Sequence, residues 1–275
     1  MKSRNTDRTV TTASTPPSTQ RCRPRPCWQV ILLGLAAGAG GGLLGVGGGI
    51  IMIPIMTMWG STQKTAQGTS LVVIAAIAPL AILTYALLGN VDFRFAVPLA
   101  IGGLIGGEIG ARIALRFSNK ALGRAFSILL ILVALRMLLY KLPVETEVRE
   151  LLLSGLVEAG LLGIPAGLAA GFFGVGGGIV FVPIGVLLAG LSQVVAQGSS
   201  YVAILPTSIL CANRYRLEGE VAWDLVRWLV PGALVGVVIG ANWADILPAK
   251  QLQIVFALYL LYTGISRLLN DARSR

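Results

Sequence analysis

The sequence predicts an all-α integral membrane protein made of two homologous four-segment halves, about eight transmembrane segments in all. Three observations carry that expectation. Charged residues form 12% of the 275-residue chain, against roughly 25% in soluble domains, and the mean hydropathy is +0.79. No charge falls between Arg25 and Lys64, between Lys64 and Asp92, or between Glu158 and Arg214, and apolar runs of ~18 residues or more mark membrane-spanning helices. Finally, Gly45-Val46-Gly47-Gly48-Gly49-Ile50 recurs letter for letter as Gly174-Val175-Gly176-Gly177-Gly178-Ile179.

The repeat continues beyond that string. Pro54 and Ile55 return as Pro183 and Ile184. After a one-residue slip, Ala66-Gln67-Gly68 with Ser70 matches Ala196-Gln197-Gly198 with Ser200. Gly102, Gly106 and Gly110 match Gly232, Gly236 and Gly240, and Lys120, Leu122 and Phe126 match Lys250, Leu252 and Phe256.

In chain order, residues 1–27 carry six Lys or Arg against one acid among Ser, Thr and Pro. That composition cannot bury a core, so a disordered basic cytoplasmic tail is expected. The first repeat, 28–140, holds apolar segments at Trp28–Trp59, Ala66–Leu88, Phe95–Leu115 and Ala121–Tyr140. A linker at 141–150 leads to the second repeat, 151–270, with segments at Leu151–Leu191, Val194–Ala212, Leu225–Ala244 and Leu252–Leu269, and a C-terminal tail at 271–275. A helix rises 1.5 Å per residue, so ~20 residues cross the hydrocarbon core. The first segment of each half is too long for one crossing and is broken by glycine. It either crosses or dips in and returns. The re-entrant alternative puts Arg112, Arg116, Lys120 and Arg124 on the cytoplasmic side, as positive charge prefers. It also leaves an odd number of crossings per half, hence an inverted repeat.

Non-helical backbone survives in a bilayer only where protein or a wet cavity satisfies it. A helix restarting after such a break aims free N–H groups and its positive dipole end into the gap, which suits an anion. Gly47, Gly48, Gly49, Gly176, Gly177 and Gly178 are therefore expected to bind substrate. Gln67, Ser70, Gln197 and Ser200 are expected to add uncharged donors. The Gly102 and Gly232 series reads as helix packing. Glu108 and Arg112, four apart, read as an ion pair at a membrane end. Gly40-Gly41-Gly42-Leu43-Leu44-Gly45 fits G-x-G-x-x-G only by coincidence, having no βαβ context.

Composition excludes other chemistries. With no histidine and three cysteines, there is no Ser–His dyad or zinc site. No metal, cofactor or enzymatic activity is expected. The net charge of +10 lies in tails and short loops, so it points to topology, and nucleic acid is not an expected partner.

The string Gly42-x-x-Gly45-x-Gly47-Gly48-Gly49-x-x-x-x-Pro54, doubled as Gly171-x-x-Gly174-x-Gly176-Gly177-Gly178-x-x-x-x-Pro183, resembles the TauE/SafE sulfite exporter family of membrane permeases. The likeness covers roughly residues 28–270. It implies a multi-pass bacterial inner-membrane transporter of small anions, sulfur-containing oxyanions or organosulfonates such as sulfite. An anion channel using the glycine breaks as a selectivity filter is the alternative. The expected partners are the anionic solute and the lipid bilayer, and a homo-oligomer is compatible with both.

Overall fold

The computed structural model describes residues 26–139 and 153–244, with individual residues between 246 and 269. The expected tail, linker and C-terminal residues lie outside the described residues, apart from Pro26 and Cys27. All regular structure among the described residues is helical: α1 (Cys27–Leu44), α2 (Gly49–Met58), α3 (Gln63–Leu87), α4 (Phe93–Arg116), α5 (Asn119–Leu139), α6 (Leu153–Phe173), α7 (Gly178–Leu188), α8 (Gln193–Leu217) and α9 (Trp223–Ala244). Six of these are long and apolar enough to cross a membrane, namely α1, α3, α4, α6, α8 and α9. Each expected broken segment is a pair of helices, α1 with α2 and α6 with α7.

Local chemistry sets the helix starts. Thr62 accepts from the Thr65 N–H at 3.1 Å, Ser192 from the Val195 N–H at 3.3 Å, and Asp92 from the Arg94 N–H at 2.9 Å. These are side-chain N-caps, which use up donors that a helix start leaves free. In contrast, α2 and α7 start from Gly48 and Gly177, with no side-chain cap.

The glycine stripes are packing surfaces. A Cβ at Gly102, Gly106 or Gly110 of α4 would fall on the carbonyl oxygen of Gly160, Ile164 or Leu168 of α6. Likewise Gly232, Gly236 and Gly240 of α9 lie against the carbonyls of Ile31, Leu35 and Ala39 of α1. Small residues permit this close approach, which gives helix association in lipid its van der Waals energy. Residue numbers rise together across both interfaces, so α4 runs parallel to α6, and α9 to α1. An adjoining face of α4 carries Ile101, Ile105, Ile109 and Ile113, all exposed. Four-residue spacing puts them in one stripe. In a bilayer, that stripe faces lipid.

Long-range bonds fix which helix ends share a side. Lys64 Nζ donates to the Leu115 carbonyl at 2.7 Å, Thr65 Oγ1 to Glu220 Oε2 at 2.5 Å, and the Ala222 N–H to Thr69 Oγ1 at 2.9 Å. The starts of α3 and α9 and the end of α4 therefore meet at one end of the bundle. At the other end the Asp92 N–H donates to Ser199 Oγ at 2.8 Å, joining the starts of α4 and α8. Because α1 runs parallel to α9 and α3 starts where α9 starts, α2 must carry the chain back to the Lys64 end. By the same reasoning α7 returns to the Asp92 end.

Candidate functional site

The two glycine breaks face each other in the interior. A Cβ on Gly49 would stand 2.9 Å from Val175 Cα, and one on Gly178 would stand 2.5 Å from Val46 Cα. Ile74 of α3 sits between them, with Cγ2 3.1 Å from the Cβ positions of both Gly47 and Gly176. All ten residues expected from the sequence are buried: Gly47, Gly48, Gly49, Gln67, Ser70, Gly176, Gly177, Gly178, Gln197 and Ser200.

Each half holds the other half's break. Ser200 Oγ donates to the Gly45 carbonyl at 2.9 Å, and Ser70 Oγ donates to the Gly174 carbonyl. Gln197 lies against Gly45, whose Cβ position is 2.7 Å from Gln197 Cα, and Gln67 lies equally close against Gly174. The serine hydroxyls are thus committed to backbone carbonyls and act as clamps, whereas the sequence expected them to donate toward substrate.

Two tyrosines that sequence reasoning missed complete the clamp. Tyr215 Oη donates to Gln67 Oε1 at 3.1 Å and to the Gly171 carbonyl at 3.2 Å. Tyr85 Oη donates to the Gly42 carbonyl and lies 3.4 Å from Gln197 Oε1. Their positions recur at the same register as Gln67 and Gln197, a signal that was there to be used. These bonds hold each glutamine by its carbonyl oxygen and turn its amide nitrogen to another direction. Gln67 Nε2 is buried and has no hydrogen-bond partner.

Among the described residues, the N–H groups of Gly48, Gly49 and Ile50 find no acceptor, nor do those of Gly177, Gly178 and Ile179. Orphan donors at a helix start, with the helix dipole behind them, are in general suited to an anion. No Lys, Arg, Asp or Glu belongs to this cluster. Attraction would therefore come from dipoles and neutral donors, which carry no charged-group desolvation cost. No group of three or more His, Cys, Asp or Glu among the described residues is arranged to hold a metal.

The expected Glu108–Arg112 pair is present at 2.7 Å. Arg214 of α8 joins it, its Nε 2.5 Å from Glu108 Oε1. The sequence offered no sign of this third member, because α4 and α8 are brought together only by the fold.

The model of the family "Sulfite exporter TauE/SafE" matches residues 4–137 and 159–275. The "Probable membrane transporter protein YunE" of Bacillus subtilis is 28% identical over 258 residues, covering 86% of this chain and 94% of that protein. A "Probable membrane transporter protein" of Xylella fastidiosa is 28% identical over 229 residues, with 82% and 88% covered. A shorter likeness, 31% over 124 residues, covers 44% of this chain and 28% of the "Sulfite exporter TauE/SafE family protein 5" of Arabidopsis thaliana. No solved structure matches the chain.

Proposed function

The chain belongs to the sulfite exporter TauE/SafE family of membrane transporters, and on that premise we propose that it carries small sulfur-containing oxyanions or organosulfonates, such as sulfite, across the cell membrane. The single observation behind this reading is the meeting of two uncapped helix starts, at Gly48 and Gly177, inside an uncharged core. Backbone N–H groups at Gly47–Gly49 and Gly176–Gly178 attract the anion in this reading. The Gln67 and Gln197 amides supply further donors, and Ser70 and Ser200 hold the breaks in shape. The purified protein in liposomes should move labelled sulfite with saturable kinetics, faster when unlabelled anion is present on the far side. Flux that rises linearly with concentration and ignores the far side would identify a channel instead. Absence of any anion flux would overturn the proposal.

The two halves are proposed to lie in opposite orientations in the bilayer, with the site at their interface and turnover by one half rocking on the other. Three features support this: the antiparallel course of α3 and α8 (Gln67 beside Tyr215, Gln197 beside Tyr85), the return of α2 to the Lys64 end, and the return of α7 to the Asp92 end. The Lys64 end, where Arg112, Arg116, Lys120, Arg214 and Arg216 gather, is assigned to the cytoplasm by the positive-inside rule. In a chain freed of its native cysteines, single cysteines at Ser61, Ser118 and Gly219 should all label from the cytoplasmic face. One at Asn90 should label from the opposite face. Labelling of Ser61 and Ser118 from opposite faces would overturn the re-entrant course.

A further inference from the structure

The repeat is imperfect at one position that touches the site. Tyr201 of α8 occupies the register position that Leu71 occupies in α3, and both side chains are fully buried, each 0% exposed. The Tyr201 ring stacks on Tyr85, centroids 6.1 Å apart at an interplanar angle of 29°. The preceding residue, Ser200, holds the Gly45 carbonyl. The Tyr201 hydroxyl lies beside the Gly47 N–H, in the first glycine turn, yet makes no full hydrogen bond. Leaving a buried hydroxyl unpaired is unfavourable, and a phenylalanine there would avoid that cost. The clamp residues offer no such spare proton, because the Ser70, Ser200, Tyr85 and Tyr215 hydroxyls all donate to protein oxygens.

We propose that Tyr201 is a specificity-determining residue: its hydroxyl donates to an oxyanion seated at the Gly47–Gly49 turn. This inference rests on the anion site described above and deepens it. The two turns then become unequal stations. The first turn offers the orphan amides of Gly48 and Gly49 with a phenol, whereas the second offers the orphan amides of Gly177 and Gly178, and the position matching Tyr201 in the other half is the apolar Leu71. A phenol O–H is directional and suits an acceptor oxygen with defined lone pairs, as on sulfite or a sulfonate.

The test is Y201F in the full-length protein, with labelled sulfite as the probe. A hydrogen bond to a charged group, once lost, should weaken sulfite binding about tenfold or more. Without sulfite, the thermal midpoint of Y201F should equal or exceed that of the wild type, because an unpaired buried hydroxyl has been removed while the ring stack is kept. Wild-type affinity in Y201F would overturn the role of Tyr201 and leave the glycine site standing. A lower midpoint without ligand, or failure to fold, would also overturn it by revealing a structural partner. If the wild type itself shows no saturable sulfite binding, the site reading falls and this inference falls with it.

Discussion

Gly48→Val should abolish sulfite flux in liposomes while leaving membrane insertion intact, and Gly177→Val should impair flux less severely. Gly48 sits at φ +80° and Gly177 at φ +87°, a region that a β-branched residue enters only under strain of about 1–3 kcal/mol. Strain is common to both variants, and the obstacle is what differs. A Cβ at Gly48 would fall on the Ala37 carbonyl, which is helix backbone and cannot move aside. At Gly177 it would stand 2.6 Å from Phe181 Cε2 and 2.9 Å from Ala170 Cβ, side-chain atoms of which the ring can turn. Either change displaces the N–H groups that the turn aims inward. Gly89→Val separates strain from crowding, because Gly89 has φ +73° and open space around its Cβ position. That variant should insert and transport normally. Wild-type flux in Gly48→Val would remove the glycine turn from the mechanism.

The same turn shows how much of the site the sequence contained. The doubled Gly-Val-Gly-Gly-Gly-Ile string located both helix breaks to the residue, because three adjacent glycines have few uses inside an apolar segment. The apolar segments that form α3, α4, α8 and α9 were also legible, since their lengths follow from bilayer thickness. Partnership was not. The stripe Gly102, Gly106, Gly110 says that α4 touches something closely, yet nothing local says that the something is α6 of the other half. Each clamp crosses between the halves in this way: Ser70 reaches Gly174, and Ser200 reaches Gly45. A hydroxyl in a helix reads as a free donor until its carbonyl partner, 104 or 155 residues away, is in view. Tyr85 and Tyr215 were missed for a different reason. As aromatics near segment ends they resemble interfacial residues, and only their shared register with the glutamines marks them as a pair.

Gly106→Leu should lower the thermal midpoint more than any single lipid-facing change on the same helix. The Cβ of residue 106 would land on the Ile164 carbonyl, and the next backbone atom of α6, the Leu168 nitrogen, lies 2.7 Å from that point. Overpacking a soluble core costs about 1–3 kcal/mol when side chains can rearrange. Here the obstacle is helix backbone, so relief requires α4 to move off α6 as a body. That movement strips close contacts along the stripe and draws Glu108, two residues on, away from Arg214. Ile105→Ala is the matched control, since Ile105 is 52% exposed on the outer face and in lipid loses little by truncation. Gly236→Leu poses the equivalent problem against the Leu35 carbonyl of α1, without a neighbouring ion pair to lose among the described residues. Its effect should therefore be large but smaller than that of Gly106→Leu. A midpoint for Gly106→Leu no lower than that of Ile105→Ala would mean that α4 and α6 do not touch through this stripe. The parallel course of the two helices, and the return of α7 deduced from it, would then have to be abandoned.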